Sequence, residues 1–255
     1  MKLIPLLFSA LLFACQAFAQ AGPSEPLLAK MMVARDSYGS VIFTFGDSIM
    51  RGYALGFFPD SSTKEQMDNP DWELRSPASQ LRSRGFMAVY AGLNGQPDMV
   101  EDGAEWISDL VKRGVIRDGD VVVLEDAGRH DKAPMVYFDN WLKIGAALRG
   151  VDVKLIMMTI PDDIKSPVVG GEPADLYRYS IDFGGVSYND ATTFAAHVLG
   201  AKLIDLKTMI NEVTKSGYTV LHDDGIHQNI KGQTIMVDAI IQECTGSYTG
   251  KHAAR

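Results

Sequence analysis

The chain has 255 residues, 46% of them apolar, enough for one α/β domain with a sizeable buried core. Its 32 Asp and Glu outnumber its 24 Lys and Arg, giving a formal charge of -8, and no Lys/Arg block interrupts that balance. Nucleic acid is thereby excluded as the expected partner, and the acidic surface serves solubility.

The N-terminus reads as a secretory signal over residues 1–19. Lys2 supplies a positive start, Leu3 to Cys15 is apolar, and Ala17-Phe18-Ala19 is a small-x-small cleavage site. The stretch is too short for a transmembrane span, and no later segment is apolar enough for one. The expectation is export, periplasmic or secreted, with no integral membrane segment. Cleavage removes Cys15 and leaves Cys244 alone, so the mature monomer has no internal disulfide to form. Cys244 falls in the apolar pattern of the last helix, as a small buried hydrophobe. Residues 20–36 read as a lead-in segment, 37–245 as the folded domain and 246–255 as a flexible tail. Oligomeric state leaves no mark in the sequence.

Within the domain, β-rich apolar runs predict strands at Val41–Phe45, Met87–Tyr90, Val121–Glu125, Val153–Thr159 and Leu203–Leu206. Helical periodicity predicts Pro77–Arg84, Met99–Arg113, Met135–Arg149 and Tyr188–Leu199 between them, then Lys207–Ser216 and Ile230–Glu243. Arg149-Gly150 and Leu199-Gly200 read as helix ends with a glycine stop. Strands alternating with helices predict a parallel sheet with right-handed crossovers and helices on both faces. Sites in such sheets form at the carboxyl ends of the strands. The connections 53–75 and 161–187 exceed the usual length and read as lids. Their rings, Tyr53, Phe57, Phe58, Trp72, Tyr177, Tyr179 and Phe183, can line a sugar or acyl pocket or seal the lids onto the core.

Two segments carry chemistry. Gly46-Asp47-Ser48 follows the first strand, where a glycine lets the chain bend and project a serine over the sheet edge. The same tripeptide also serves as a plain strand-to-helix turn with Ser48 as N-cap. Asp224-Gly225-Ile226-His227 precedes the last helix. An Asp and a His three apart in a turn can point the same way, the carboxylate accepting from Nδ1 and Nε2 facing a hydroxyl. A serine hydroxyl is a poor nucleophile until such a base takes its proton. His222, Asp223, Asp224 and His227 are also ligand-type residues, but no second matching cluster accompanies them, and no metal is expected.

Taken together these residues resemble the SGNH, or GDSL-like, hydrolases. Gly46-Asp47-Ser48 beside an N-terminal strand matches the first block of that family and Asp224-x-x-His227 the last, over about Val41 to Glu243. The resemblance implies a three-layer α/β/α sandwich of flavodoxin type with about five parallel strands. It implies a serine esterase with Ser48 as nucleophile, His227 as base and Asp224 as its orienting acid, and no cofactor. For the oxyanion hole it implies the amides of Ser48 and Gly95, with Gly92 as the alternative alignment. The family has Gly-x-Asn-Asp after its third strand, where this chain reads Gly128-Arg129-His130-Asp131. His130 thus stands in the place of a donor Asn. Neutral imidazole can donate one N–H, but it is bulkier and depends on its tautomer. Arg129 can meet an anionic substrate or pair with Glu125 or Asp126.

Export and aromatic lids favour an O-acyl, most simply O-acetyl, ester of a carbohydrate as substrate. An O-acyltransferase, a lipase-type esterase and a non-catalytic glycan-binding module of the same fold are the alternatives.

Overall fold

The computed structural model describes residues 39–46, 48–52, 76–91, 99–125, 134–160, 168–169, 172–173, 187–221 and 227–246. The lead-in segment, both long connections except a short hairpin, and the tail fall outside them.

The main sheet has five parallel strands: β1 (Ile42–Phe45), β2 (Ala88–Tyr90), β3 (Val121–Leu124), β4 (Lys154–Met158) and, after a small hairpin, β7 (Lys202–Ile204). Their spatial order is β2-β1-β3-β4-β7. Each expected strand is present, trimmed by a residue or two at its ends. The strand expected at 203–206 is shifted, because Asp205 leaves the sheet to cap a helix: its carboxylate accepts from the Thr208 amide at 3.0 Å. The hairpin pairs β5 (Val168–Val169) with β6 (Glu172–Pro173) antiparallel, inside a connection expected to lack regular structure.

The helices are α1 (Ser48–Arg51), α2 (Pro77–Ser83), α3 (Met99–Lys112), α4 (Pro134–Ala147), α5 (Tyr188–Leu199), α6 (Leu206–Lys215) and α7 (Ile230–Thr245). Alternation along the strands sends side chains to two cores. Phe43, Phe45, Val122, Leu124 and Met157 face α3, α4 and α5, with Trp141 and Ile107 filling that layer. Ile42, Val121, Val123, Ile156 and Ile204 face α1, α2, α6 and α7, with Leu81, Ile210 and Met236 opposite. Helices on both faces are as the alternating pattern predicts.

The helix ends follow local chemistry. Ser76 caps α2 through the Ser79 amide, and Pro77 takes the first helical position, where no amide partner is needed. Ser187 and Asp190 form a reciprocal capping box at the start of α5. Gly200 ends α5 in the left-handed region, as its position suggests. Gly150 does not act that way. α4 stops at Ala147, and its last turn tightens, with Leu148 bonding back to Ile144 and Gly145 and Arg149 to Ala146. Among the described residues no helix is long and apolar enough to cross a membrane.

Candidate active site

β1 lies between β2 and β3, so the chain leaves it first to one side and returns on the other. This reversal opens a crevice at the carboxyl ends of β1 and β3, where open α/β sheets place their sites. Gly46 leaves β1 there, and Ser48 is the first residue of α1.

The turn at Gly46 is tightly enclosed. A Cβ on Gly46 would lie 2.4 Å from the Glu125 carbonyl oxygen, 2.8 Å from Glu125 Oε2 and 2.8 Å from Met50 Cβ. Space, and not a left-handed φ, is what requires glycine here, since Gly46 is absent from the positive-φ glycines. The Tyr90 hydroxyl donates to the Gly46 carbonyl at 3.0 Å, and the Glu125 amide donates to the Phe45 carbonyl at 2.9 Å. Glu125, at the exit of β3, is fully buried beneath the turn. Arg129, which the sequence offered as an ion-pair partner of Glu125 or Asp126, lies outside the described residues.

His227 is 7% exposed and sits at a bend just before α7. Its segment is pinned on the far side. Gln228 bridges antiparallel to Leu221, and the Asn229 amide donates to the Val220 carbonyl at 3.0 Å. Asn229 also caps α7, its side-chain oxygen accepting from the Gly232 amide at 3.1 Å, while its side-chain amide donates to the Thr219 carbonyl at 3.0 Å. A Cβ on Gly232 would lie 2.3 Å from the Val220 carbonyl, so the first turn of α7 rests directly on that backbone. The Leu221–Gln228 bridge joins the two residues that flank 222–227, of which 222–226 lie outside the described residues.

The two segments meet through α7. Gln233 Nε2 donates to the Ile49 carbonyl at 3.1 Å, across 184 residues of sequence. The residue next to Ser48 is thus bonded to a side chain less than two turns beyond His227. Asp224, Gly95, Gly92 and His130 lie outside the described residues, as do Asp47 and the side chain of Ser48. The same holds for His222, Asp223 and the lid aromatics. Among the described residues no group of three or more His, Cys, Asp or Glu is placed to hold a metal ion.

At the exit of β4, the Asn189 side chain both accepts from the Ile160 amide at 2.8 Å and donates to its carbonyl at 2.9 Å. This strand-like pairing fixes where the chain enters the second long connection. Nearby, burial pushes the Asp205 carboxyl up, but hydrogen bonds from the Thr208 hydroxyl and amide and the Thr159 hydroxyl, with the Lys207 charge, outweigh it and hold it below its ordinary value. A surface depression bounded by Lys154, Lys202 and Cys244 lies at the amino ends of β4 and β7. That is the opposite end of the sheet from Ser48.

Sequence reasoning passed over Gln233, Tyr90 and the depth of Glu125. A glutamine at a core position of the α7 pattern was the available signal for the first.

Neither a protein-family model nor a curated protein matches the sequence. Solved structures do match the fold. A member of the lipolytic G-D-S-L family from Veillonella parvula aligns with a TM-score of 0.53 at 14% identity, covering 80% of this chain and 97% of that one. A catalytic mutant of the acetylxylan esterase Axe2 from Geobacillus stearothermophilus aligns with a TM-score of 0.53 at 18% identity, covering 83% and 96%. TesA aligns with a TM-score of 0.51 at 17% identity, covering 81% and 99%. A five-stranded parallel sheet in flavodoxin-like order, wrapped on both faces and spanning nearly the whole of those chains, gives this protein the fold of the SGNH and GDSL hydrolase structures.

Proposed function

We propose that this protein is an exported serine esterase that cleaves O-acyl, most simply O-acetyl, groups from a carbohydrate through an acyl-enzyme. The observation that supports it most is the meeting of two motif-bearing segments at the switch point of the sheet. Ser48 opens α1 there, and buried His227 precedes the helix whose Gln233 bonds to Ile49. The acetylxylan esterase among the structures of like fold supports the acetyl-sugar substrate, as does the signal-like N-terminus.

In this reading His227 takes the proton of the Ser48 hydroxyl as its oxygen attacks the ester carbonyl. The tetrahedral intermediate is held by the amides of Ser48 and Gly95 and by His130. It collapses to the acyl-enzyme as His227 returns the proton to the leaving alcohol. Water, deprotonated by the same imidazole, then releases the acid. Asp224 orients the ring and stabilises its charged form. No step needs a metal or organic cofactor.

One departure favours a second reading. His130 replaces the Asn expected of the family, and losing a single oxyanion donor costs about 10²–10³ in rate. In this second reading His130 is not a third donor, and an acceptor sugar hydroxyl takes the place of water at the acyl-enzyme, which is O-acyl transfer. The discriminating experiment is a panel of acetylated oligosaccharides, aryl acetates and lysolipids, with and without oligosaccharide acceptors, run on wild type and Ser48→Ala. Hydrolysis of the acetyl sugars that vanishes in Ser48→Ala supports the esterase. Acyl transfer exceeding hydrolysis supports the second reading. Sugar binding without turnover in either protein overturns both.

A further inference from the structure

The buried face of α7 runs through Gly232, Gln233, Met236, Val237, Ala239 and Ile240. In that row Gln233 is the one residue with a polar side chain, and it is 1% exposed. Its surroundings call for an apolar side chain of similar volume. An amide is costly to bury unless both of its ends are bonded. Nε2 donates to Ile49 O, while Oε1 has no hydrogen-bond partner among the described residues. Stability alone would favour Met or Leu at this position.

The acceptor explains what the amide does. α1 is a single turn, and its carbonyls have few partners within the helix. The Ile49 carbonyl is reached by the Gly52 amide at 3.2 Å from the same turn and by Gln233 from the opposite side. The Gly52 bond is local and closes the turn on itself. The Gln233 bond is long-range and ties the turn to the helix that follows His227. Other contacts of α7 lead elsewhere: Thr234 donates to Gln80 Oε1 at 3.2 Å, and Asp238 pairs with Arg84, both serving α2.

We propose that Gln233 is a positioning residue that fixes the Ser48 turn against the His227 segment, setting the gap between hydroxyl and imidazole. The inference rests on the reading of Ser48 as nucleophile and His227 as base. Without the amide, α1 keeps its local closure and the core packing of Ile49 and Met50 but loses this bond to α7, and the serine drifts relative to the ring. Displacements of about 1 Å at reacting groups cost on the order of 10²-fold in rate.

The test separates placement from folding. Gln233→Met keeps the volume and removes the donor. Thr234→Val removes a neighbouring bond of the same helix that does not lead to α1. Each variant is titrated with a fluorophosphonate to count competent sites, then assayed with p-nitrophenyl acetate and melted. For Gln233→Met the expected result is a melting temperature at or above that of wild type. Its kcat per titrated site should fall about 10- to 100-fold at little-changed KM, with phosphonylation of Ser48 slowed by a similar factor. Thr234→Val should melt lower with kcat per site intact. Should Gln233→Met not fold, Gln233→Asn keeps a neutral amide that is one methylene too short, and the same loss in kcat is expected. A kcat per site within about twofold of wild type in the folded variant overturns the inference. Ser48→Ala is run alongside. If it retains full activity, the catalytic reading itself fails; if it is inactive while Gln233→Met is not impaired, only the role of Gln233 fails.

Discussion

Gly46→Ala is the sharpest structural perturbation of the site. The new methyl would sit 2.4 Å from the Glu125 carbonyl oxygen and 2.8 Å from both Glu125 Oε2 and Met50 Cβ. None of these is the free end of a long surface side chain. The carbonyl belongs to the residue whose amide is bonded to Phe45, so β1 and β3 must separate by at least about 0.6 Å to admit the methyl. Overpacking of this kind costs about 1–3 kcal/mol. The separation also moves Ser48, two residues on, by a similar distance, and a loss of roughly 10–10²-fold in kcat follows if that serine is the nucleophile. Urea unfolding reads the first number and kcat per fluorophosphonate-titrated site the second. Gly145→Ala is the control. Its methyl would meet Leu199 Cδ2 at 2.3 Å and Cδ1 at 2.9 Å, the tip of a side chain at the end of α5 that can rotate. A gain of about 0.8–1 kcal/mol in helix propensity offsets the repacking, so little net change is expected there. A Gly46→Ala protein as stable and active as wild type would refute the close approach of the two strands.

Other predictions follow from the caps and the Cys244 thiol. Asp205→Ala removes the N-cap of α6 and should lower stability by about 1 kcal/mol at neutral pH, read by urea unfolding. Because the folded carboxyl is held below its ordinary value of 3.8, its stabilising effect is complete above the unfolded value and lost as pH falls through the lower folded one. The difference between wild type and Asp205→Ala should therefore shrink on acidification below about pH 4; a gap that widens there contradicts the linkage. Burial pushes the Cys244 thiol up, the Glu243 carboxylate adding to it and the Lys154 ammonium opposing. Iodoacetamide should consequently modify Cys244 more slowly than an unstructured cysteine at pH 7, and faster labelling would place the thiol outside the α7 core edge.

Much of this architecture was legible because its signals are local. Runs such as Val121-Val122-Val123-Leu124 are apolar on both faces, which only a strand between two helical layers tolerates. The glycine at 200 announced the end of α5, whereas the Ser187–Asp190 capping box at its start was not read from the sequence. The misjudged stop at Gly150 shows the limit of such signals. Burial of Leu148 against the core, 5% exposed, lets a tightened turn end α4 without left-handed glycine. Of the two motifs, Gly46 and the start of α1 lie at the carboxyl end of β1, as a serine after the first strand suggests, and His227 precedes α7; Asp224 lies outside the described residues. The supports of the crevice were not legible. The Gln233–Ile49 bond and the Glu125 wall join residues 184 and 79 positions apart, and no periodicity encodes a pairing at that range.

In the catalytic reading Ser48 becomes nucleophilic because the His227 imidazole takes its proton. The measurement that tests it most directly is peptide mapping after fluorophosphonate treatment of wild type and His227→Ala. A single adduct on Ser48 is expected in wild type, and labelling slowed by several orders of magnitude in a His227→Ala protein that melts normally. An adduct on another residue, or Ser48 labelled equally fast without the imidazole, would contradict it.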